Sequence, residues 1–150
     1  TCAQLGKEEH VIEDPAAAAV VLGCTARAGD LDALESWLVS MSEAHLDIDM
    51  ASDGQWRATH EAAMGGHAGA LALLLSQGAA VDAGDSDGRT PLHWAVMAGH
   101  QSAAALLLAN GAAANARDEL QNTVLHGVAL RGDASMAALL LDAGADIHAQ

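Results

Sequence analysis

Apolar and polar positions along the chain repeat with a fixed period. Three leucine triplets, at residues 73–75, 106–108 and 139–141, lie 33 residues apart. Three other series keep the same step, one of histidines and two of glycines: His60, His93 and His126; Gly66, Gly99 and Gly132; Gly78, Gly111 and Gly144. A period of this length kept at several independent positions predicts stacked supersecondary units.

The clearest copy of the repeat predicts a turn followed by two short helices. Residues 85–88, Asp-Ser-Asp-Gly, are typical of a tight turn. Pro91 suits the first position of a helix, which Gly99 should end about two turns later. A second helix is expected from Ser102 through the leucines, with Gly111 as its left-handed C-terminal cap. Helices this short are not stable alone, so the units must be stabilised by stacking on their neighbours.

The first copy differs from the others. Asp14-Pro15 should begin a helix over residues 16–27, which ends near Gly29. A second apolar helix follows, on which Trp37 falls on the buried stripe. The step from Gly29 to Gly66 is 37 rather than 33, so this copy carries about four extra residues around positions 39–45.

These motifs resemble the ankyrin repeat. Residues 90–95 read Thr-Pro-Leu-His-Trp-Ala and are followed by Gly-His at 99–100, while residues 123–126 match well and residues 57–60 are degenerate in the Thr-Pro-Leu part. The resemblance implies an all-α ankyrin-repeat solenoid of helix-turn-helix units joined by hairpin-like turns. Its predicted organisation is an N-terminal extension followed by four repeats: 1–13; then 14–50, 51–83, 84–116 and 117–150.

Composition supports packed helices and disfavours several partners. The chain is 51% hydrophobic but only 2% aromatic, so its core must be built of small and aliphatic side chains. Six basic residues against twenty acidic ones give a net charge of −14, which would repel nucleic acids and anionic membranes. A basic protein or peptide would be attracted, although solubility alone also explains the acidity.

The two cysteines, Cys2 and Cys24, are too few for a disulfide framework, so we expect a reducing, intracellular compartment, the cytoplasm or the nucleus. No signal peptide or membrane helix is predicted. The chain does not begin with Met, and the last repeat ends without a polar capping unit. We therefore expect a monomeric domain that belongs to a longer protein or is covered at that end.

Catalytic and metal-binding patterns fail on inspection. Residues 60–64 imitate a zinc-binding His-Glu-x-x-His helix, but the second histidine is replaced by Met64. The turn at 85–88 imitates part of a calcium loop, but the position of the bidentate glutamate holds Trp94. The resemblance implies that the repeated histidines hydrogen-bond turn backbone. No enzyme activity, cofactor or metal is expected.

The resemblance also implies a partner-binding groove formed by the turns and the first helix of each repeat. Met64, Met97 and Leu130 would form an apolar stripe along it, unless they only pack between repeats. The remaining candidate partner-binding residues lie on the turns or beside the stripe: Asp53, Trp56, Glu61, Asp87, Arg89, Trp94, Glu119, Leu120, Asn122 and Arg131.

Two alternatives accompany this prediction. Trp56 and Trp94, with Glu61 between them, resemble part of the methyl-lysine cage in the ankyrin domains of certain histone methyltransferases, and two indoles can bind a cation by cation–π attraction. The chain could also be the targeting or substrate-recruiting segment of a larger enzyme or channel.

In many ankyrin proteins the residue at the position of Asn115 is hydroxylated, so the resemblance indicates Asn115 as a candidate hydroxylation site.

Overall fold

The computed structural model describes residues 14–148, and this part of the chain is built of eight α-helices with no β-strand. A short 3-10 helix, Asp53–Gln55, lies in the turn before the third helix. The helices are α1 Pro15–Ala28, α2 Leu31–Glu43, α3 Ala58–Gly65, α4 Ala68–Ser76, α5 Pro91–Ala98, α6 Gln101–Ala109, α7 Val124–Arg131 and α8 Ala134–Asp142. The predicted all-α fold of helix-turn-helix units is confirmed.

The helices form two rows because each repeat contributes one helix to each row. α1, α3, α5 and α7 pack side by side in the first row, and α2, α4, α6 and α8 form the second. The core between the rows is made of leucines such as Leu22, Leu71 and Leu107, which are fully buried, together with many buried alanines. Small side chains let the helix axes approach, so the Ala- and Leu-rich composition matches the packing.

The helix ends follow the sequence signals closely. α5 begins at Pro91, as predicted, and the left-handed Gly99 (φ 80°) ends it. α6 begins at Gln101 after the N-cap His100, one residue before the expected Ser102, because the backbone bond from Ala104 to the His100 carbonyl already closes the first turn. α1 and Gly111 also agree with the prediction, the latter with φ 89°.

The four extra residues of the first repeat lengthen its second helix. α2 has 13 residues, whereas α4, α6 and α8 have nine each. The extra turn ends at Glu43, inside the predicted segment. Trp37 on this helix is half-buried and packs against the core, as expected.

Loop residues one repeat apart join neighbouring repeats. The carboxylate of Asp49 accepts from the Ala80 N–H at 3.0 Å, and that of Asp82 accepts from Ala113 N–H at 3.0 Å. Asn115 continues this series because its side chain accepts from Asp146 N–H at 2.7 Å and donates to the Gly144 carbonyl at 3.1 Å. This position is therefore structural, and hydroxylation of Asn115 stays a prediction.

No helix within residues 14–148 is long and apolar enough to cross a membrane. Cys24 on α1 is not a free thiol, and Cys2 lies outside the described residues, as does the predicted N-terminal extension. The expected reducing compartment stays a prediction.

Candidate binding groove

Two buried carboxylates organise the turns that border the first row of helices. One oxygen of Asp85 accepts from the backbone N–H groups of Asp87 and Arg89, at 2.9 Å each. Asp118 accepts from Asn122 N–H at 2.8 Å in the next repeat. The predicted tight turn is thus confirmed, and a short side chain with two acceptor oxygens explains why Asp holds it.

The turns also bond to one another. Ser86 N–H donates to the Gly54 carbonyl at 2.9 Å, and Glu119 N–H donates to the Asp87 carbonyl at 2.9 Å. These bonds fix successive turns side by side. Together with the first-row helices they form one continuous surface, which is called the groove face from here on.

The repeated histidines hold the junctions between repeats. His60 Nδ1 accepts from Arg57 N–H at 3.2 Å, and its Nε2–H donates to the Arg89 carbonyl of the next repeat at 3.1 Å. His93 repeats this with Thr90 N–H at 3.1 Å and the Asn122 carbonyl at 3.4 Å. The backbone-bonding role expected of these residues is confirmed.

Burial keeps these two imidazoles neutral. His60 is fully buried and His93 is 4% exposed. Desolvation lowers the pKa of both side chains below the ordinary value, because a buried site disfavours the charged imidazolium. A neutral ring is also what the bonding requires, since Nδ1 must accept a hydrogen bond while Nε2 donates one.

Two indoles fill the junction between the second and third repeats. The rings of Trp56 and Trp94 are in contact, with centroids 4.6 Å apart and planes 45° apart. The edge of His60 packs against Trp56, with centroids 5.9 Å apart. Trp94 Nε1–H donates to the second oxygen of Asp85 at 2.9 Å, so the ring is tied to the turn. The predicted convergence of the two tryptophans is confirmed.

The cationic and anionic groups around these indoles are already paired within the chain. The guanidinium of Arg89 lies over Trp94, 5.5 Å from the ring centroid, and also bonds Asp87 at 3.0 Å. Glu61 pairs with Arg27 at 3.2 Å. Trp94 and Glu61, two of the groups in the proposed methyl-lysine cage, are thus each engaged by an arginine of the chain, and the methyl-lysine reader stays a prediction.

The junction between the third and fourth repeats is open. A cavity of about 180 Å³ lies between α5 and α7, and Arg89, His93, Met97, Asn122 and Leu130 are among its lining residues. Gly127 also lines it. Position 127 is one repeat after Trp94, so the cavity lies where the preceding junction holds an indole.

The structure brings some of the predicted partner residues together around this cavity. Met97 is 44% exposed and Leu130 is 90% exposed, whereas Met64, one repeat away, is less exposed than either. Leu120, at the adjoining turn, is 76% exposed and Glu119 beside it is exposed. Of the predicted stripe, the two C-terminal members are therefore the accessible ones.

The remaining predicted residues lie apart from the cavity or have structural roles. Asp53 is exposed in the 3-10 helix that precedes α3, one repeat before the turn of Asp85. Arg131 donates to the Met97 carbonyl at 3.1 Å and its guanidinium lies against Gly99, so it holds two repeats together.

The net negative charge of residues 14–148 lies mainly outside the groove face. The turns and first-row helices of residues 14–148 carry seven acidic residues and all five arginines. The second-row helices and the loops that follow them carry ten acidic residues and no lysine or arginine. The five arginines offset most of the charge of these seven acidic residues. A basic partner therefore has no general electrostatic preference for the groove face.

Within residues 14–148, no three His, Cys, Asp or Glu side chains are placed to hold a metal ion. The three repeated histidines instead serve separate turns, each with its own backbone partners.

Comparison with known families decides the identity of the fold. A profile described as "Ankyrin repeats (3 copies)" matches residues 22–118, and one described as "Ankyrin repeat" matches residues 120–150. The chain belongs to the ankyrin-repeat family. Ankyrin repeats are generally protein–protein interaction modules rather than enzymes. No curated protein matches the chain closely enough to name a relative.

Sequence reasoning missed three parts of this ankyrin groove. It did not find the Asp85–Trp94 bond, the pairing of Glu61 with Arg27, or the cavity at Gly127. The cavity had a visible signal, because a glycine stands 33 residues after a tryptophan within an otherwise regular repeat.

Proposed function

We propose that this ankyrin domain is a non-enzymatic interaction module that binds a protein or peptide through the groove face. The observation that carries the proposal is the cavity at Gly127, which is open and lined in part by exposed Met97 and Leu130, with exposed Leu120 on the adjoining turn. Large apolar side chains at the rim of an open cavity are typical of interaction sites rather than of a solvated surface.

The chemistry of the cavity indicates what it would hold. Its apolar walls suit an aliphatic or aromatic side chain of the partner, which would fill the space that Trp94 fills in the preceding junction. Arg89 and the Asn122 side chain also line the cavity, and the N–H groups that they do not use toward Asp87 and Asp118 can donate hydrogen bonds to carbonyl oxygens of the partner backbone. The same mode would serve a recruiting segment of a larger enzyme or channel.

The test begins with a peptide selected from a random display library on the full chain, whose Kd is then measured by calorimetry. Leu130→Asp should raise this Kd at least tenfold, because it places a charge beside the apolar anchor. Leu130 is 90% exposed, so the substitution leaves the core intact. Ala138→Asp on the exposed side of α8 is the matched control and should change Kd less than twofold. Binding that survives Leu130→Asp would contradict the proposal.

A further inference from the structure

A second candidate surface lies on the opposite side of the molecule, where the longer α2 passes α4. The extra turn of α2 extends the helix to Glu43 and leaves a trough of about 440 Å³ between the two helices. A smaller cavity of about 270 Å³ shares Leu38 and Gln77 with it and continues toward Ile48. We call this feature the outer trough.

The floor of the outer trough is apolar and accessible. Val39 is 61% exposed, and it lies beside Leu38 of α2 and Leu73 of α4, which rest on the core. On α2 the lining positions Glu35, Leu38, Val39 and Ser42 follow the spacing of one helix face. Two adjacent second-row helices of this kind form a shallow trough in which a third helix can lie.

The rim of the outer trough is acidic. Glu35 and Glu43 line the trough itself, and Asp47 lines the adjoining cavity. Neither glutamate has an ion-pair partner among the described residues, and the second-row half of residues 14–148 contains no lysine or arginine. Anionic partners would be repelled from this face, whereas a cationic one would be attracted.

We propose that the outer trough docks a basic amphipathic helix of a partner protein. Apolar residues one turn apart on that helix would pack on Leu38, Val39 and Leu73, as in other complexes in which a helix lies in a groove. Lysine or arginine residues on its flanks would face Glu35 and Glu43. This surface is separate from the groove face, so the two proposals stand or fall independently.

The test uses designed peptides of 16 residues and the full chain at physiological salt. One peptide has leucine at i, i+3, i+4 and i+7 with lysine elsewhere, a second has the same composition with the leucines shuffled, and a third carries glutamate in place of lysine. The first peptide should bind at least tenfold more tightly than the other two, since only it presents both an apolar face and positive flanks.

Val39→Asp separates apolar docking from simple charge attraction. The substitution adds a negative charge at an exposed position, so it would strengthen binding that depends on charge alone. If the apolar floor anchors the helix, Val39→Asp should instead weaken binding of the first peptide about tenfold. Ala138→Asp, which makes the same charge change on α8, should leave the Kd within twofold.

The site of binding is checked with the groove variant. Leu130→Asp should not affect the first peptide, and amide shifts in nuclear magnetic resonance spectra should fall on α2 and α4. Equal or tighter binding by Val39→Asp, no preference among the three peptides, or weakening by Leu130→Asp would each overturn the proposal.

Discussion

The two junctions on either side of the third repeat have the same architecture but different contents. In both, a buried histidine of one repeat bonds to a carbonyl of the next, His60 to Arg89 and His93 to Asn122. The first junction is filled by the indoles of Trp56 and Trp94. At the second junction the matching positions hold Arg89 and Gly127, and a cavity of about 180 Å³ opens.

This difference shows which positions of the repeat hold the scaffold and which can vary. The histidine and the turn aspartate recur at both junctions, because each satisfies buried backbone groups whatever lies outside them. The positions facing the groove carry no such constraint, so an indole at one junction and a glycine at the next are both compatible with the fold. We infer that the filled junction contributes stability and the open one contributes binding.

The largest expected effect is at the filled junction. Trp94→Ala removes the ring contact with Trp56 and leaves one oxygen of the buried Asp85 without its indole donor. The free energy of unfolding should fall by about 2–3 kcal/mol, somewhat below the loss typical of a fully buried tryptophan because this ring is half-buried. Urea titration followed by circular dichroism measures the change.

Leu130→Ala at the open junction is the control for this measurement. Its side chain is 90% exposed, so the free energy of unfolding should change by less than about 0.5 kcal/mol. Equal losses for the two variants would show that the junctions do not divide stability and binding in the way we infer.

A pH titration compares the two histidines directly. Burial lowers the folded-state pKa of His60 and of His93 below the ordinary 6.5, so the unfolded chain binds more protons once the pH falls to about that value. Stability should therefore fall as the pH decreases through 6.5, until the pH drops below the folded-state pKa. Well above 6.5 both rings are neutral in both states and contribute no slope.

Each histidine can contribute at most about 1.4 kcal/mol of lost stability per pH unit. His60→Gln and His93→Gln should each reduce the difference in unfolding free energy between pH 7.5 and 5.5, measured by urea titration. If the two histidine side chains are equally shielded from water, the two variants should reduce this free-energy difference by similar amounts. A pH dependence that neither variant alters would show that other groups cause it.

The regular parts of the fold were predictable because they depend on local chemistry. A proline at a helix start and a glycine at its end act through the backbone, so Pro91 and Gly99 place α5 without knowledge of its neighbours. The four-residue insertion was equally visible as a change of period. The change of period did not show that the added residues would lengthen α2 and open the outer trough, because the trough depends on how α2 and α4 pack.

The binding groove was only partly predictable for the same reason. The repeat register places Trp56, Trp94 and Met97 on one surface, and the structure confirms that the two tryptophans meet. Sequence distance could not show that Arg27 would neutralise Glu61 or that Arg89 would cover Trp94, since both contacts depend on side-chain direction across a repeat junction. The overall charge of −14 could not show how the charge is distributed, because it does not say which row of helices carries the acidic residues.

The smallest expected effect is at Gly127, and it tests whether the open junction is a compromise between stability and binding. A glycine inside a helix lowers the stability of the folded protein by about 0.5–1 kcal/mol relative to an alanine. A Cβ at this position would meet Val96 and Met97 at 3.6 and 3.7 Å, which are ordinary contact distances. Gly127→Ala should therefore raise the free energy of unfolding by about 0.5–1 kcal/mol while narrowing the cavity.

Gly99→Ala is the matched comparison because the same chemical change meets the opposite surroundings. Gly99 has φ 80°, and a Cβ there would collide with the guanidinium of Arg131, so this variant should be less stable than the wild type. If Gly127→Ala stabilises the chain and also weakens the peptide selected on the groove face, the glycine keeps the cavity open at a cost in stability. If it stabilises the chain without affecting that peptide, the partner does not reach the cavity floor and the contact is confined to exposed lining residues such as Met97 and Leu130.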